Sequence, residues 1–570
     1  MSQLKLRPRG FRWVIFFIIC GCNNLNNSNI QIESLFNEYH KEYLALYPSQ
    51  ATEIGVHDFD SLYEVDISED HRTKAREFYR GYQTKLNSFH YDELTIENKF
   101  SYDILSYNIE TGLDELNFPD HLIPFNHTVN CVPAEFANWG SGESAHPFNS
   151  VQDYDNFLSR MEDFTVWIDT SISNMKTGID QEVVLPKIVC ELTIERIRPL
   201  AVEKFEESEF YHPIQALPVH FTEFDKKRLR DNYKNVAETT LLPAYQRLLD
   251  FLQREYLPNT RETLAWSDLP SGEEWYAFKL KKFTTANLTA NEIHQLGIEE
   301  VSRISKLYEE RLSNRSEEWP LHFFYNEDSL AKAYQNIYDG SQAKLDSLFG
   351  ITPKTDLEIR PSTLGSYYEP GSLDGSRSGI FYFYAYNLSE NPDVVSEALF
   401  LHEAVPGHHY QIAIQRESNL PDFRKSSFYS AFMEGWGLYA ESLGSELNLF
   451  RDPRQKRWKL ESELWRAIRL VVDTGIHHLG WSIEDCQDYV AQYHFGQMTR
   501  EFQRYVGEPG QATSYKVGEL KILELKEQAK TTLEDTFDPK EFHYEILSMG
   551  AVPLTLFEQR INHWIQEKSK

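Results

Sequence analysis

Apolar residues recur every three or four positions along most of this chain, the spacing of helices with one buried face. Residues 30–46 (IQIESLFNEYHKEYLAL) show it and stop at Tyr47-Pro48-Ser49. Residues 70–90 and 92–115 repeat it. Residues 151–179 carry an aromatic stripe and read as a long helix pair, with the stripe in the core. Residues 225–258 predict another long helical segment, kinked at Pro243. Residues 288–312 open on Thr289 and Glu292, spaced as a capping box. Strand signals are few. Residues 378–388 (SGIFYFYAYNL) and 356–361 (DLEIRP) are the best, and they predict a small paired sheet. The first of them reads either as an edge that binds extended peptide or as packed core. No internal repeat and no low-complexity linker interrupts the chain after residue 30. The pattern predicts a mostly α-helical protein with a small β patch, in one large domain over residues 30–570.

Composition narrows the function classes. Of 570 residues, 41% are apolar and 25% charged, which suits a packed core. There are 87 acidic against 57 basic residues, a net charge of −30, and no long basic run after the first dozen residues. Phosphate binding needs a positive surface, so a nucleic-acid partner is excluded. Lys5, Arg7, Arg9 and Arg12 precede the apolar run Trp13–Ile19, which is too short to span a bilayer. This reads as a secretory signal. Ile19-Cys20-Gly21-Cys22 and a polar, Asn-rich stretch follow. They resemble a bacterial lipoprotein signal over residues 1–22, with Cys22 lipidated and residues 23–29 as a tether. Cys20 departs from the small residue usual two places before the cleavage site. A plain signal peptide is the alternative. Both predict export to the cell envelope, with a lipid anchor as the only membrane contact. Cys131, Cys190 and Cys486 are odd in number and far apart, as buried free thiols are.

The chemistry concentrates in LHEAVPGHHYQ, residues 401–411. In zinc-peptidase helices two histidines four residues apart share one face, and the Glu after the first polarises water at the metal. Here Pro406 occupies the second histidine's position. On a regular helix His408 lies about 240° round from His402, and His409 lies about 10.5 Å along the axis, so neither reaches the same ion. Pro406 lacks the N–H that bonds back to His402, and Gly407 permits unusual backbone shapes. A two-residue bulge at Pro-Gly puts His408 in the second histidine's place. His402 and His408 are then the ligands and Glu403 the base. His409 becomes a substrate contact, or the ligand in place of His408. Glu434, on a helix over residues 429–444, supplies the third ligand from across a hairpin. Glu441 either orients a ligand or is a solvated charge.

Two further segments carry candidates. Arg469, Asp473 and His477 are spaced to share a helix face, with an Arg–Asp pair and His477 as an oxyanion donor, or a surface salt-bridge row. In GEPGQATSYKVGEL (507–520), Tyr515 or Lys516 reaches toward the site, with Tyr515 a second oxyanion donor, or packs as structure.

The series His402-Glu403-x-x-Pro406-Gly407-His408-His409, Glu434-Gly435-Trp436 with Tyr439 and Glu441, Arg466-x-x-Arg469 with Asp473 and His477, Pro509-Gly510-Gln511 with Tyr515, and FHYEILSMGAVPL (542–554) resembles a mainly bacterial family, domain of unknown function 885. YPSQATEIGVHDFD (47–60) and EIHQLGIEEV (292–301) extend the resemblance over nearly the whole mature chain. Many of its members carry lipoprotein signals. The family is grouped with helical zinc peptidases of the gluzincin type, whose ligands are two His and a Glu. The resemblance implies a mostly α, two-lobed helical fold around a deep cleft, with Zn2+ as cofactor. It implies Glu403 as base and His402 and Glu434 as ligands, the other histidine being His408 or His409. The expected substrate is a short peptide. A non-peptide amide or ester uses the same residues, and a non-catalytic peptide-binding lipoprotein is the reading from outside enzymology. An intact Glu403 speaks against the last, since a binder has no use for a general base.

Overall fold

The computed structural model describes residues 14–570 except 313–321, 364, 374, 376 and 392–394, and only the backbone of residues 14–26, 311 and 312. The basic stretch 5–12 lies outside the described residues, as do the Cys20 and Cys22 side chains. The protein is mostly helical, as the apolar spacing predicts. Helix α1 (Val14–Leu46) begins well before the predicted start at residue 30 and runs through residues 23–29. Helices α2 (Glu69–Leu86) and α3 (Ile96–Glu115) pack against it. Helix α4 (Val151–Asp180) is one unbroken helix of 30 residues, not the predicted pair. No Gly or Pro interrupts its apolar stripe before Gly178, and Ser150 and Asp153 close a capping box at its start.

The predicted kink at Pro243 takes another form. Helix α5 (Glu223–Val236) passes through a wide π-turn at Ala237–Leu241 before α6 (Leu242–Phe251), which has Pro243 in its first turn. The widened turn accommodates the donor that proline lacks. Thr289 and Glu292 form the expected box ahead of α7 (Ala290–Leu312), each side chain accepting from the other's backbone N–H.

Helix α8 (Glu327–Leu348) leads into the sheet: β1 (Leu357–Ser362), β2 (Tyr367–Glu369) and β3 (Gly379–Tyr384). The strand order is β1-β3-β2, β1 parallel and β2 antiparallel to β3, with Tyr368 opposite Phe381. The two predicted strands do pair. The third is too short to show in the sequence, and it covers β3, so β3 is not an open edge. Phe381 and Phe383 pack with Tyr334 of α8 and with Phe400. Each such fully buried side chain contributes roughly 1.5–3 kcal/mol. This packing sets β2 beside the segment that carries Glu403.

Six of the later helices build the site: α9 (Glu397–Glu403), α10 (His408–Glu417), α11 (Ser430–Ser442), α12 (Pro453–His477), α13 (Thr499–Gly507) and α14 (Ser514–Leu533). Helix α12 divides the core. Its Leu470 joins a cluster with α1–α3, α11 and α14, while Ile468, Val471 and Val472 join one with α4–α6 and α13. Helices α11 and α14 cross where Gly435 meets Gly518, since a Cβ on Gly518 would overlap the Ala431 carbonyl oxygen. Cys131, Cys190 and Cys486 are buried and unpaired, and burial pushes the thiols of Cys190 and Cys486 up to about 12.

Candidate metal centre

Helix α9 stops at Glu403 and α10 starts at His408, so the chain is interrupted, not bulged as predicted. Across the gap the Ala404 carbonyl accepts from the N–H of Tyr410, six residues on, and the Gly407 carbonyl accepts from Gln411. Trp436 of α11 donates its indole N–H to the Pro406 carbonyl at 2.8 Å and pins the turn. Any side chain on Gly407 would overlap the His402 carbonyl oxygen. The interruption still does what the bulge was predicted to do. It folds His408 back onto His402, their rings edge to face with centroids 4.7 Å apart.

Glu434 completes the group. Its Oε2 lies 3.2 Å from His402 Nε2 and 3.5 Å from His408 Nε2. Ligand atoms of the three residues all lie within 4.8 Å of one another, the one such His/Cys/Asp/Glu group among the described residues. Two ligands about 2.1 Å from one tetrahedral ion sit roughly 3.4 Å apart, so these separations suit a shared ion. Two imidazoles and a carboxylate are also a donor set that zinc takes. On the far side of the ring, His402 Nδ1 bonds Glu441 Oε1 at 3.0 Å. Glu441 is 2% exposed, not a solvated charge, and Arg466 lies 3.7 Å away. A carboxylate behind a histidine fixes its tautomer and aims Nε2 outward. Gly437 makes room for the ring, since a Cβ there would sit 2.6 Å from its Cε1.

The electrostatics agree with this geometry. Burial works against charge on His402, but its bonds to Glu434 and Glu441 outweigh it and raise the ring to about 10. Burial likewise opposes charge on Glu434, yet the two imidazoles hold its carboxyl far below the usual range. Surroundings that hold a proton on His402 favour a cation at its Nε2. Glu403 stands beside the group with its pKa raised, by burial first, and its Oε2 accepts the Tyr368 N–H of β2 at 3.0 Å. His402, His408, Glu403, Glu434 and Tyr515 all line one cavity of about 940 Å³. Tyr515 lies over His402, centroids 6.3 Å apart and planes 18° apart, with the Arg469 guanidinium 4.7 Å from its own ring centre.

Several predicted residues lie elsewhere. His409 faces away from the group and meets the Tyr368 hydroxyl at 3.1 Å, so His408 is the histidine beside His402 and Glu434. Lys516 is buried among Glu300, Glu463 and Glu519 and does not reach the cleft. Asp473 does not pair with Arg469. It accepts from the Tyr276 hydroxyl and the Gly510 N–H, while Arg469 turns to Glu501. His477 has no donor left for an oxyanion. Its Nε2 bonds the Tyr505 carbonyl at 2.9 Å, and its Nδ1 accepts from the Trp266 N–H at 3.4 Å. Burial holds it neutral, with its pKa down at about 3. A depressed histidine contributes stability above its unfolded pKa of about 6.5 that is lost as pH falls toward the folded value. His477→Gln keeps a donor for Tyr505 but takes no proton. Its destabilisation relative to wild type should therefore shrink by roughly 2–3 kcal/mol between pH 7 and pH 4.5. Denaturant titrations at both pH values measure this, and an unchanged difference would refute a neutral His477.

Sequence reasoning missed Tyr368 and Gly437. Tyr368 acts on Glu403 through its backbone, which carries no residue signature, and Gly437 gave no sign of the ring it admits.

Residues 48–561 match the family described as "Bacterial protein of unknown function (DUF885)". The chain belongs to this family. The DUF885 protein is also similar to solved structures. One, a "putative lipoprotein from Colwellia psychrerythraea", is 26% identical with a TM-score of 0.86, over 95% of this chain and 100% of that one. Another, a "putative lipoprotein of unknown function from Shewanella oneidensis", is 18% identical with a TM-score of 0.73, over 93% and 99%, and shares the fold. A comparison with curated proteins found no match. Among the described residues no helix is long and apolar enough to cross a membrane.

Proposed function

We propose that this protein is a zinc-dependent hydrolase of the cell envelope that cleaves short peptides in its cleft. One observation carries the reading: three metal-type ligand atoms within 4.8 Å of one another, with the Glu403 carboxylate beside them in the same cavity. His402, His408 and Glu434 would hold the ion, which would supply Lewis acidity toward water at neutral pH. Glu403 takes the proton of the attacking water and delivers it to the leaving nitrogen. Its bond from the Tyr368 N–H fixes the carboxylate by one oxygen, and among the described residues no hydrogen bond holds the other. Tyr515 donates to the oxygen on which negative charge develops, with Arg469 and His402 packed against its ring. The basic, then apolar, then Ile-Cys-Gly-Cys N-terminus supports export and a lipid anchor at Cys22, as do the names of the solved relatives.

Metal analysis of the purified protein tests the site. One zinc per chain is expected. His408→Ala should lose it, and His409→Ala should retain it. A wild-type protein without stoichiometric metal, or a His408→Ala protein with a full complement, would sink this assignment and favour a non-catalytic binding protein.

A further inference from the structure

Five cations line the cleft: Arg377, Arg416, Lys425, Arg466 and Arg469. Four of them face a carboxylate. Arg466 has Glu441 at 3.7 Å, Arg469 has Glu501 at 3.6 Å, Lys425 has Asp422 at 3.0 Å and Arg377 has Glu369 at 3.7 Å. Arg416 differs. Among the described residues no carboxylate lies within ion-pair distance of it, and its Nη1 is buried without a hydrogen-bond partner. The Nε of Arg377 is buried and unpartnered too. Burial lowers the pKa of Arg416, opposed in part by Tyr368, and the like charge of Arg377 adds a smaller push in the same direction as burial. With one guanidinium nitrogen withdrawn from water and no counter-charge beside it, partly buried Arg416 carries a cost that a ligand anion would relieve.

The position of this arginine is informative. It lies on α10 eight residues after His408, about 12 Å along the axis, and helical side chains lean back toward the N-terminus. Tyr368 connects it to the chemistry. The backbone N–H of this tyrosine holds Glu403, its hydroxyl meets His409, and it lines the cavity together with Arg416. The distance of about 12 Å along α10, less the reach of an arginine that leans back toward the helix start, leaves roughly two extended residues between the site and the guanidinium. Glu53 and Glu135 line the same cavity from other elements, and this acidic pair offers an anion no cation there, burial and Glu135 pushing Glu53 up to about 8. An anionic group is thus directed to the α10 side.

We propose that Arg416, with Arg377 beside it, binds the C-terminal carboxylate of the peptide substrate, so that cleavage removes one or two residues from free C-termini. The planar N–H fork of arginine matches a carboxylate, and the charge-assisted pair selects an acid over an amide. This rests on the peptidase reading above.

The test has a binding arm and a turnover arm. Calorimetry on Glu403→Gln protein, as purified, compares the tetrapeptide Ala-Ala-Phe-Ala with its C-terminal amide. The acid should bind about 10- to 100-fold more tightly. Arg416→Met should abolish the difference and Arg416→Lys should retain part of it. Equal affinities, or an acid that fails to bind below about 10 mM, would overturn the proposal in the wild-type cleft without recourse to any Arg416 variant. So would a preference that survives in a folded Arg416→Met protein. In the turnover arm, mass spectrometry of wild-type digests should find one- or two-residue C-terminal products from the acid and little product from the amide. A preference for the acid without hydrolysis upholds the carboxylate site and fails the peptidase reading. Hydrolysis indifferent to amidation does the reverse.

Discussion

Glu403→Gln is expected to slow peptide hydrolysis by about 10²- to 10⁴-fold, the usual contribution of a positioned general base. Zinc content should not change. Glu403 stands outside the group formed by His402, His408 and Glu434, and its Oε2 is anchored by Tyr368. Glutamine has the same size and keeps an oxygen for the Tyr368 N–H, but it takes no proton from water. The substitution therefore removes the chemistry and leaves the geometry. Initial rates on a pool of short peptides, with metal content measured on the same samples, separate the two. A metal-loaded Glu403→Gln protein with wild-type rates would remove Glu403 from the mechanism.

The second large effect is on stability. Lys516 is fully buried, and its Nζ lies 2.7 Å from Glu519, 3.2 Å from Glu300 and 3.3 Å from Glu463. Lys516→Met should lower the unfolding free energy by about 3–5 kcal/mol, the range for breaking a buried ion pair from one side. The three carboxylates do not suffer equally. Glu300 and Glu463 keep Arg303 at 2.8 and 2.9 Å, whereas Glu519, 3% exposed, keeps no ion-pair partner among the described residues. Lys516→Met with Glu519→Gln should therefore recover part of the loss. Denaturant midpoints of wild type, both single variants and the double variant measure this. A Lys516→Met protein within about 0.5 kcal/mol of wild type would show that the cluster contributes nothing net. The cluster matters beyond stability because it joins α14, α12 and α7 one residue away from Tyr515, so a loosened cluster should also disturb the cleft wall.

The helices that carry the site were legible because their signals are local. Apolar spacing placed His402 and Glu403 near the C-terminal end of one helix and Glu434 on another, and Pro406-Gly407 marked the break between His402 and His408. The form of the break was not legible. A proline and a glycine announce that a helix cannot continue regularly, but whether it bulges or stops depends on what holds the loop. Here Trp436, thirty residues on, holds the Pro406 carbonyl. Glu441 shows the same division. Its sequence position allowed a buried partner for His402 or a solvated charge, and only the packing of α11 against α9 buries it on His402 Nδ1. The spacing of Arg469, Asp473 and His477 correctly describes one helix, yet their neighbours are set by other elements: α13 and Tyr515 for Arg469, Tyr276 and Gly510 for Asp473, Trp266 and Tyr505 for His477.

The sequence by itself determined the helical class, the family and the residues able to hold a metal, because periodicity and motif spacing are properties of neighbouring residues. Tertiary structure alone decided that His408 and not His409 meets Glu434, that His477 turns to backbone, and that Arg416 has no carboxylate in ion-pair reach among the described residues. Those outcomes depend on which side chains from distant segments arrive at the same few ångströms, and spacing along the chain carries no record of that.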